Sequence, residues 1–391
     1  MFRWITMVSV PMIFTYLSVN PRRNQQDCSK YCCENDENSN SQSDFFWYLA
    51  VLFLVLFAGL RIRYNDTTTY LNTFADDIST PVITTFLKQT PFELFDYWGY
   101  KFVKSLLKTV GMDSRLILLT FTTFYTIVYM WFIRKYSRDY LQMATFVFIA
   151  DGYLLLLAAL KQVTATAIAL IAIDRFFNHK RGQYIVLMLI AVTFHPYVLV
   201  LLVVPFVYKK KPWTKSTWII IAVMIVLGLG MESTANIIAK FNDVYDASSI
   251  LNHTMNPWRF AVSLVPIIIS FMYRDILYED SSVSEDLFTQ LSVCRTMFYF
   301  WALFGNPIVF ARISNYFDVF NAINIAWAID KLCRKEESRR NGEFLKTGLY
   351  VCFLFFSYMN GPGGFDFVRQ TEHIGVGELI HSFTNWMNNI L

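Results

Sequence analysis

Long apolar runs separated by short polar ones set the pattern of this chain. The runs cover positions 4–19, 45–60, 115–133, 141–160, 163–177 and 184–194. They continue over 197–208, 217–231, 258–273, 287–305, 307–329 and 345–359. A full membrane span needs roughly 20 apolar residues, and several runs fall short of that. Short or interrupted apolar helices fit membrane elements that stop beside a water-filled cavity. The expected fold is all-α. It is a single integral membrane domain over 1–391 with about twelve transmembrane elements, some short or broken, around an outward-facing cavity.

Composition supports the membrane class. Hydrophobic residues make up 55% of the chain and charged residues 16%, against about 25% charged in soluble domains. Mean hydropathy is +0.36. The net charge of +4 is small, and no basic stripe with interleaved aromatics points to nucleic acid.

The positions of the cations give the topology. Basic clusters stand at Arg22-Arg23, at Arg134-Lys135 with Arg138, at Lys180-Arg181, at Lys209-Lys210-Lys211, between Lys331 and Arg340, and at Lys346. Twelve crossings with both termini outside place all of them in the cytoplasm, as the positive-inside rule asks. The stretch 184–208 is too short for two full crossings, so it reads as a tight broken hairpin turning at Phe194-His195-Pro196-Tyr197. Pro21-Arg22-Arg23 follows the first apolar run where a cleavage site would need small residues, so that run reads as a retained span. The polar segment 20–44 becomes a flexible cytoplasmic loop. Segment 61–113 becomes an extracytoplasmic loop with an interfacial helix near Tyr97-Trp98 to Leu107. Segments 232–257 and 360–391 become a further outer loop and an outer tail. No cysteine is placed outside, where disulfides form. Cys28, Cys32 and Cys33 lack a nearby His and make no convincing metal site.

This topology gathers a set of polar residues on the outer side. Arg61-Ile62-Arg63-Tyr64-Asn65-Asp66 ends the second run, Lys161-Gln162 follows the fourth, and His195 sits at the hairpin tip. Arg312 lies inside an apolar run, with Tyr316 and Asp318 just beyond. Outer loops and tail add Asp243, Tyr245, Asp246, His253, Asp366, Arg369, Glu372 and His373. A charged side chain at membrane depth is costly and is paired or ligand-facing. Each candidate also has a structural reading. Arg312 could pair with Asp66 or Asp318. Arg61 could mark the interface. Asp66 could pair with Arg61 or Arg63. His195 could cap a helix, and Lys161-Gln162 could snorkel.

The order and spacing of these residues resemble the EpsG-like family of polysaccharide polymerases, related in role to Wzy-type O-antigen and capsule polymerases. The resemblance rests on Arg61, Asp66, Tyr70 and Phe74, on Lys161-Gln162 before the Ala-rich Val163-Thr164-Ala165-Thr166-Ala167, on Phe194-His195, and on Arg312 with Tyr316-Phe317. It covers about 45–335. Two departures stand out: Lys161 where Arg is usual, and Asn65 where Gly often precedes the Asp. Lys is a point charge, so bidentate anion binding is weakened there.

The resemblance implies a metal-independent glycosyltransferase without cofactor, in the bacterial cytoplasmic membrane, with a GT-C-like architecture and an extracytoplasmic site. Its donor and acceptor would be undecaprenyl-diphosphate-linked oligosaccharides. A flippase and a chain-length regulator would be neighbours in the membrane lipid. His195, Asp66 and Arg312 would be catalytic, with His195 or Asp66 as base. Arg61, Arg63, Tyr70, Lys161, Gln162 and Tyr316 would hold diphosphate and glycan. Two other classes use similar residues: a lipid-linked oligosaccharide flippase, which favours paired internal repeats, and a membrane O-acyltransferase built on His195.

Overall fold

The computed structural model describes residues 2–26, 36–239, 248, 251, 257–360, 366–367 and 376–390. It is helical nearly throughout and divides into two compact units, residues 1–135, 141–199 and 352–391 in the first and 136–140 and 200–351 in the second.

In the first unit, α1 (Phe2–Gln26) packs along α2 (Asp36–Gly59). A short strand β1 (Arg61–Arg63) follows, then α3 (Thr67–Ala75), α4 (Ile83–Gln89) and α5 (Trp98–Thr109). Next come α6 (Ser114–Tyr136), α7 (Leu141–Val147), α8 (Leu154–Ala158), α9 (Leu160–Phe177) and α10 (Arg181–Phe194). α9 and α10 form a close hairpin, and α5 lies on α10. The run 141–160 is not one helix. A π-helical stretch, Phe148–Tyr153, separates α7 from α8, and Ala159 (φ −126°, ψ 59°) breaks the chain before α9. A π-turn shifts the hydrogen-bond register and commonly marks a functional place in a helix. It carries Asp151, a half-buried carboxylate within an apolar run. Tyr153 ties the π-turn to α2 by donating to the Leu54 carbonyl at 2.7 Å.

The break at the hairpin tip has a local cause. Proline disfavours helical backbone in the residue before it. His195, ahead of Pro196, is extended (φ −158°, ψ 114°), and a 3-10 helix, Pro196–Val203, follows.

The second unit holds α11 (Val204–Val207), α12 (Lys215–Leu229), α13 (Met231–Ala239), α14 (Pro257–Met272) and α15 (Arg274–Leu277). It continues with α16 (Val283–Trp301), α17 (Pro307–Ser314), α18 (Asp318–Arg334) and the start of α19 (Arg339–Asn360). α16 is its centre and packs on α11, α12, α14, α17 and α18. Ser282 and Glu285 start α16 with a reciprocal capping box. At that end Lys211 pairs with Asp286 at 3.1 Å and Lys331 with Asp280.

Several sequence expectations are corrected. Segment 20–44 is not a loop among its described residues: α1 runs to Gln26 and α2 begins at Asp36. Asp44 pairs with Arg134 of α6. Segment 232–257 opens as α13 rather than as loop. Segment 360–391 contains a strand, β2 (Asp366–Phe367), antiparallel to β1, and a helix, Val376–Ile390. Trp386 of that helix donates to the Val110 carbonyl at 2.6 Å, anchoring it at the end of α5. Asp243, Tyr245, Asp246, His253, Arg369, Glu372, His373 and the three cysteines Cys28, Cys32 and Cys33 lie outside the described residues.

Among the described helices, Ser114–Tyr136 is long and apolar enough on its own to cross a membrane. Ile5–Val19, Asp44–Gly59, Arg181–Phe194, Pro196–Val207, Lys215–Leu229 and Arg259–Met272 are apolar but shorter.

Candidate active site

Arg61 occupies a place that the sequence did not foretell. It is 1% exposed. Its Nη1 donates to the Ala58 carbonyl in the last turn of α2, and its Nη2 to the Leu157 carbonyl in the last turn of α8, at 3.1 Å. Nε reaches Thr67 Oγ1 at 3.0 Å, and Nη1 lies 3.5 Å from Thr122 Oγ1. The last carbonyls of a helix have no partner within it and carry its negative dipole end. One guanidinium thus closes two helix ends and ties the start of α3 and the third turn of α6 to them. Arg61 was expected to face water or a ligand, whereas these donors are turned to the protein. Buried arginine needs such a full set of acceptors.

In the rest of the Arg61–Asp66 stretch Arg63, Asn65 and Asp66 are exposed, Ile62 is half-buried and Tyr64 is buried. Asn65 takes a left-handed turn (φ 44°), a conformation Asn tolerates better than most residues. The turn exposes Arg63 and Asp66. The Asp66 carboxylate makes no hydrogen bond or ion pair with another described residue, and its backbone carbonyl accepts from Tyr70 N–H at 2.9 Å.

From Tyr70 a row of rings leads across the unit. Tyr70 stacks on Phe74 and Phe74 on Phe121, each pair with centroids 6.3 Å apart. Phe121 then meets Tyr100 at 5.3 Å. Lys161 of α9 sets its ammonium 5.4 Å from the Tyr100 ring centre and 4.3 Å from that of Tyr97. Tyr97 meets the His195 ring at 5.5 Å, and Tyr197 closes the other side of His195 at 5.4 Å. Three residues expected from sequence, Tyr70, Lys161 and His195, are therefore joined through Tyr97 and Tyr100.

Two backbone features hold this row. Tyr97 is left-handed (φ 53°, ψ 28°), which costs a bulky residue roughly 1–2 kcal/mol and is tolerated where the surroundings enforce it. Gly99 lets α5 touch α10: a Cβ there would fall 2.1 Å from Thr193 Oγ1. Behind the row, Phe86, Phe92, Trp98 and Phe102 pack face and edge with centroids 5.1–6.3 Å apart.

Cations line the same helix. Lys101, Lys104 and Lys108 recur at helical spacing on α5. Lys101 pairs with Asp96, and Lys108 with Asp77 at 2.6 Å. Lys104 is 6% exposed and donates to the Ser79 carbonyl. Burial, and then the charges of Lys161, Lys101 and Lys108, push its pKa down to about 8, with Asp76 opposing. Sequence reading missed Tyr97, Tyr100 and Lys104. For Tyr100 and Lys104 the spacing with Lys108 (100, 104, 108) was the signal, because residues four apart share a helix face.

The remaining sequence candidates are placed otherwise. Gln162 is buried on α9, and its backbone carbonyl accepts from Thr166 Oγ1 at 2.9 Å. Arg312 and Tyr316 belong to the second unit. Arg312 is exposed there rather than buried, and Tyr316 is fully buried in a 3-10 turn between α17 and α18. Asp318 accepts from Arg295 of α16 at 2.6 Å, a buried pair that sequence reading passed over. Among the described residues no group of His, Cys, Asp and Glu is placed to hold a metal ion.

Residues 44–368 match one protein family, described as the EpsG family. No curated protein and no solved structure matches the chain.

Proposed function

We propose that this chain, which belongs to the EpsG family and is thus a membrane protein of polysaccharide biosynthesis, is the polymerase of its pathway. It joins undecaprenyl-diphosphate-linked oligosaccharide repeat units at the extracytoplasmic face of a bacterial cytoplasmic membrane, through about twelve membrane elements. A hydroxyl of the acceptor unit attacks the anomeric carbon of the donor chain. The new glycosidic bond forms as the bond to the diphosphate breaks, the hydroxyl proton passes to a base, and undecaprenyl diphosphate leaves.

The observation that carries this reading is that Lys161 and His195 both pack against Tyr97, 4.3 Å and 5.5 Å from its ring centre. Such a transfer needs a base beside the attacking hydroxyl and positive charge beside the departing diphosphate. His195 is the base, because an ordinary imidazole takes and gives protons near neutral pH. Lys161 and the exposed Arg63 bear on the diphosphate. Asp66, with no protein partner among the described residues, orients the acceptor. Tyr70 offers a ring face to sugar, and the Tyr97 ring positions Lys161 and His195. Arg61 is assigned to architecture, since its donors are used on helix ends.

The test is purified protein in liposomes with a defined lipid-linked repeat unit. The polymerase reading requires a ladder of products, lost in His195→Ala. Transfer of intact units between leaflets without a ladder would show a flippase. Single units carrying an added acyl mass would show an acyltransferase.

A further inference from the structure

Four lysines crowd the outer part of the first unit, and their neutralisation is unequal. Lys101 and Lys108 each have an aspartate of their own, Asp96 and Asp77. Lys104 and Lys161 have no ion pair among the described residues. Lys104 has one carbonyl, that of Ser79, and Lys161 has the faces of Tyr97 and Tyr100. Both ammoniums look at one ring, since Lys104 Nζ lies 6.0 Å from the Tyr100 centre and Lys161 Nζ 5.4 Å from it. The Tyr100 hydroxyl is buried and has no hydrogen-bond partner. The whole residue is 2% exposed.

Two like charges held near each other beside a buried, unused hydroxyl are unfavourable without a third party. Two described carboxylates oppose these charges: Asp96, already paired with Lys101, faces Lys161, and Asp76 faces Lys104. The oxygens of Asp76 are themselves engaged, accepting from Ser79 Oγ and from the backbone N–H groups of Ile78 and Ser79. An oxyanion would accept from both ammoniums and from the Tyr100 hydroxyl, and charge-assisted bonds of that kind are the strong ones.

We infer that Lys104, Lys161 and Tyr100 form a binding site for a diphosphate group, with Lys104 and Tyr100 as its previously unassigned members. This rests on the reading above, in which a diphosphate-linked lipid is the donor. The same chemistry would hold free inorganic diphosphate. Lys101 and Lys108 flank the site but are held by their own aspartates.

The test measures inorganic pyrophosphate binding to the purified full-length protein in detergent by calorimetry, without any polymerisation. Lys104→Gln and Lys161→Gln are expected to weaken binding at least tenfold, Tyr100→Phe several-fold, and Lys104→Arg far less than Lys104→Gln. Lys101→Gln and Lys108→Gln should stay near wild type. Size-exclusion profiles establish that each variant is folded, and Lys104→Arg covers the case in which the glutamine variant is not. A second arm uses phosphatidylcholine vesicles doped with undecaprenyl diphosphate or, at equal charge, with phosphatidylglycerol. Lys104-dependent capture by the first only assigns the site to the lipid carrier, whereas pyrophosphate binding without such capture assigns it to the free diphosphate. Equal loss in all four lysine variants would show a diffuse surface charge and overturn the site. Full pyrophosphate binding by Lys104→Gln would overturn it too. A product ladder together with that result would leave the polymerase reading standing. Lys104-dependent binding with no ladder would remove the polymerase reading and leave the site.

Discussion

Arg61 gives the sharpest test of how this fold is held. Replacing it with Ala removes the guanidinium that serves the Ala58 and Leu157 carbonyls, and leaves two helix ends with buried, unsatisfied acceptors. A hydrogen bond from a charged donor contributes about 1.5–3 kcal/mol, so the two carbonyl bonds alone account for roughly 3–6 kcal/mol. For a unit of this size that corresponds to a fall in apparent Tm on the order of 10 °C. Lysine keeps the charge but lacks the planar fork, so Arg61→Lys can serve one carbonyl well and not both. About half of the loss is expected for it. The assay is thermal denaturation of the purified protein in detergent, read by recovery of the monodisperse size-exclusion peak. It is run beside the KM for lipid-linked substrate on whatever remains folded. The account expects lowered Tm with little change in KM. Unchanged Tm with a strongly raised KM would refute it, and would return Arg61 to the diphosphate.

Other predictions follow from the same geometry. Gly99→Ala drives a methyl into Thr193 and Phe194. Overpacking of this kind costs about 1–3 kcal/mol; it should shift Tyr97 away from Lys161 and lower polymer yield, and Thr193→Ala should recover part of the loss. Lys104 titrates near pH 8 in the folded protein and at its ordinary higher value when unfolded. Between those values the unfolded chain holds the extra proton, so wild-type stability should rise relative to Lys104→Gln as pH climbs from 8 to about 10; parallel Tm-versus-pH curves for the two proteins would contradict the buried charge. Product ladders should be unaffected by excess chelator, and metal-dependent restoration of lost activity would count against the roles given to Lys161 and His195.

The helical class could be read directly from the chain, because long apolar runs with few breakers favour helices. The breaks were legible where chemistry forces them: His195 before Pro196 had to leave the helix. The helix expected near Tyr97 to Leu107 runs from Trp98 to Thr109. What stayed hidden depended on contacts between distant segments. The partners of Arg61 are main-chain carbonyls from two helix ends, and no side-chain pattern announces a carbonyl. The π-turn at Phe148–Tyr153 shows in the sequence only as Asp151-Gly152 within an apolar run, a pair that does not by itself specify a change of hydrogen-bond register. The pairing of β1 with β2 joins Arg61 and Arg63 to residues some three hundred positions later. Tyr100 and Lys104 lay in plain sight at helical spacing, with Tyr97 just before their helix. They were passed over because the aromatic content of the loop suggested interface anchoring, which the same residue types also serve.

The central claim is that His195, beside Tyr97 and Lys161, takes the proton from the attacking hydroxyl. The most direct measurement is a single-turnover reaction between one lipid-linked donor and one lipid-linked acceptor. It compares wild-type protein with a folded His195→Ala variant at saturating substrate. General base catalysis contributes about 10²–10⁴-fold, so the rate of glycosidic bond formation should fall by that factor while substrate binding is retained. A His195→Ala rate equal to wild type would contradict the account.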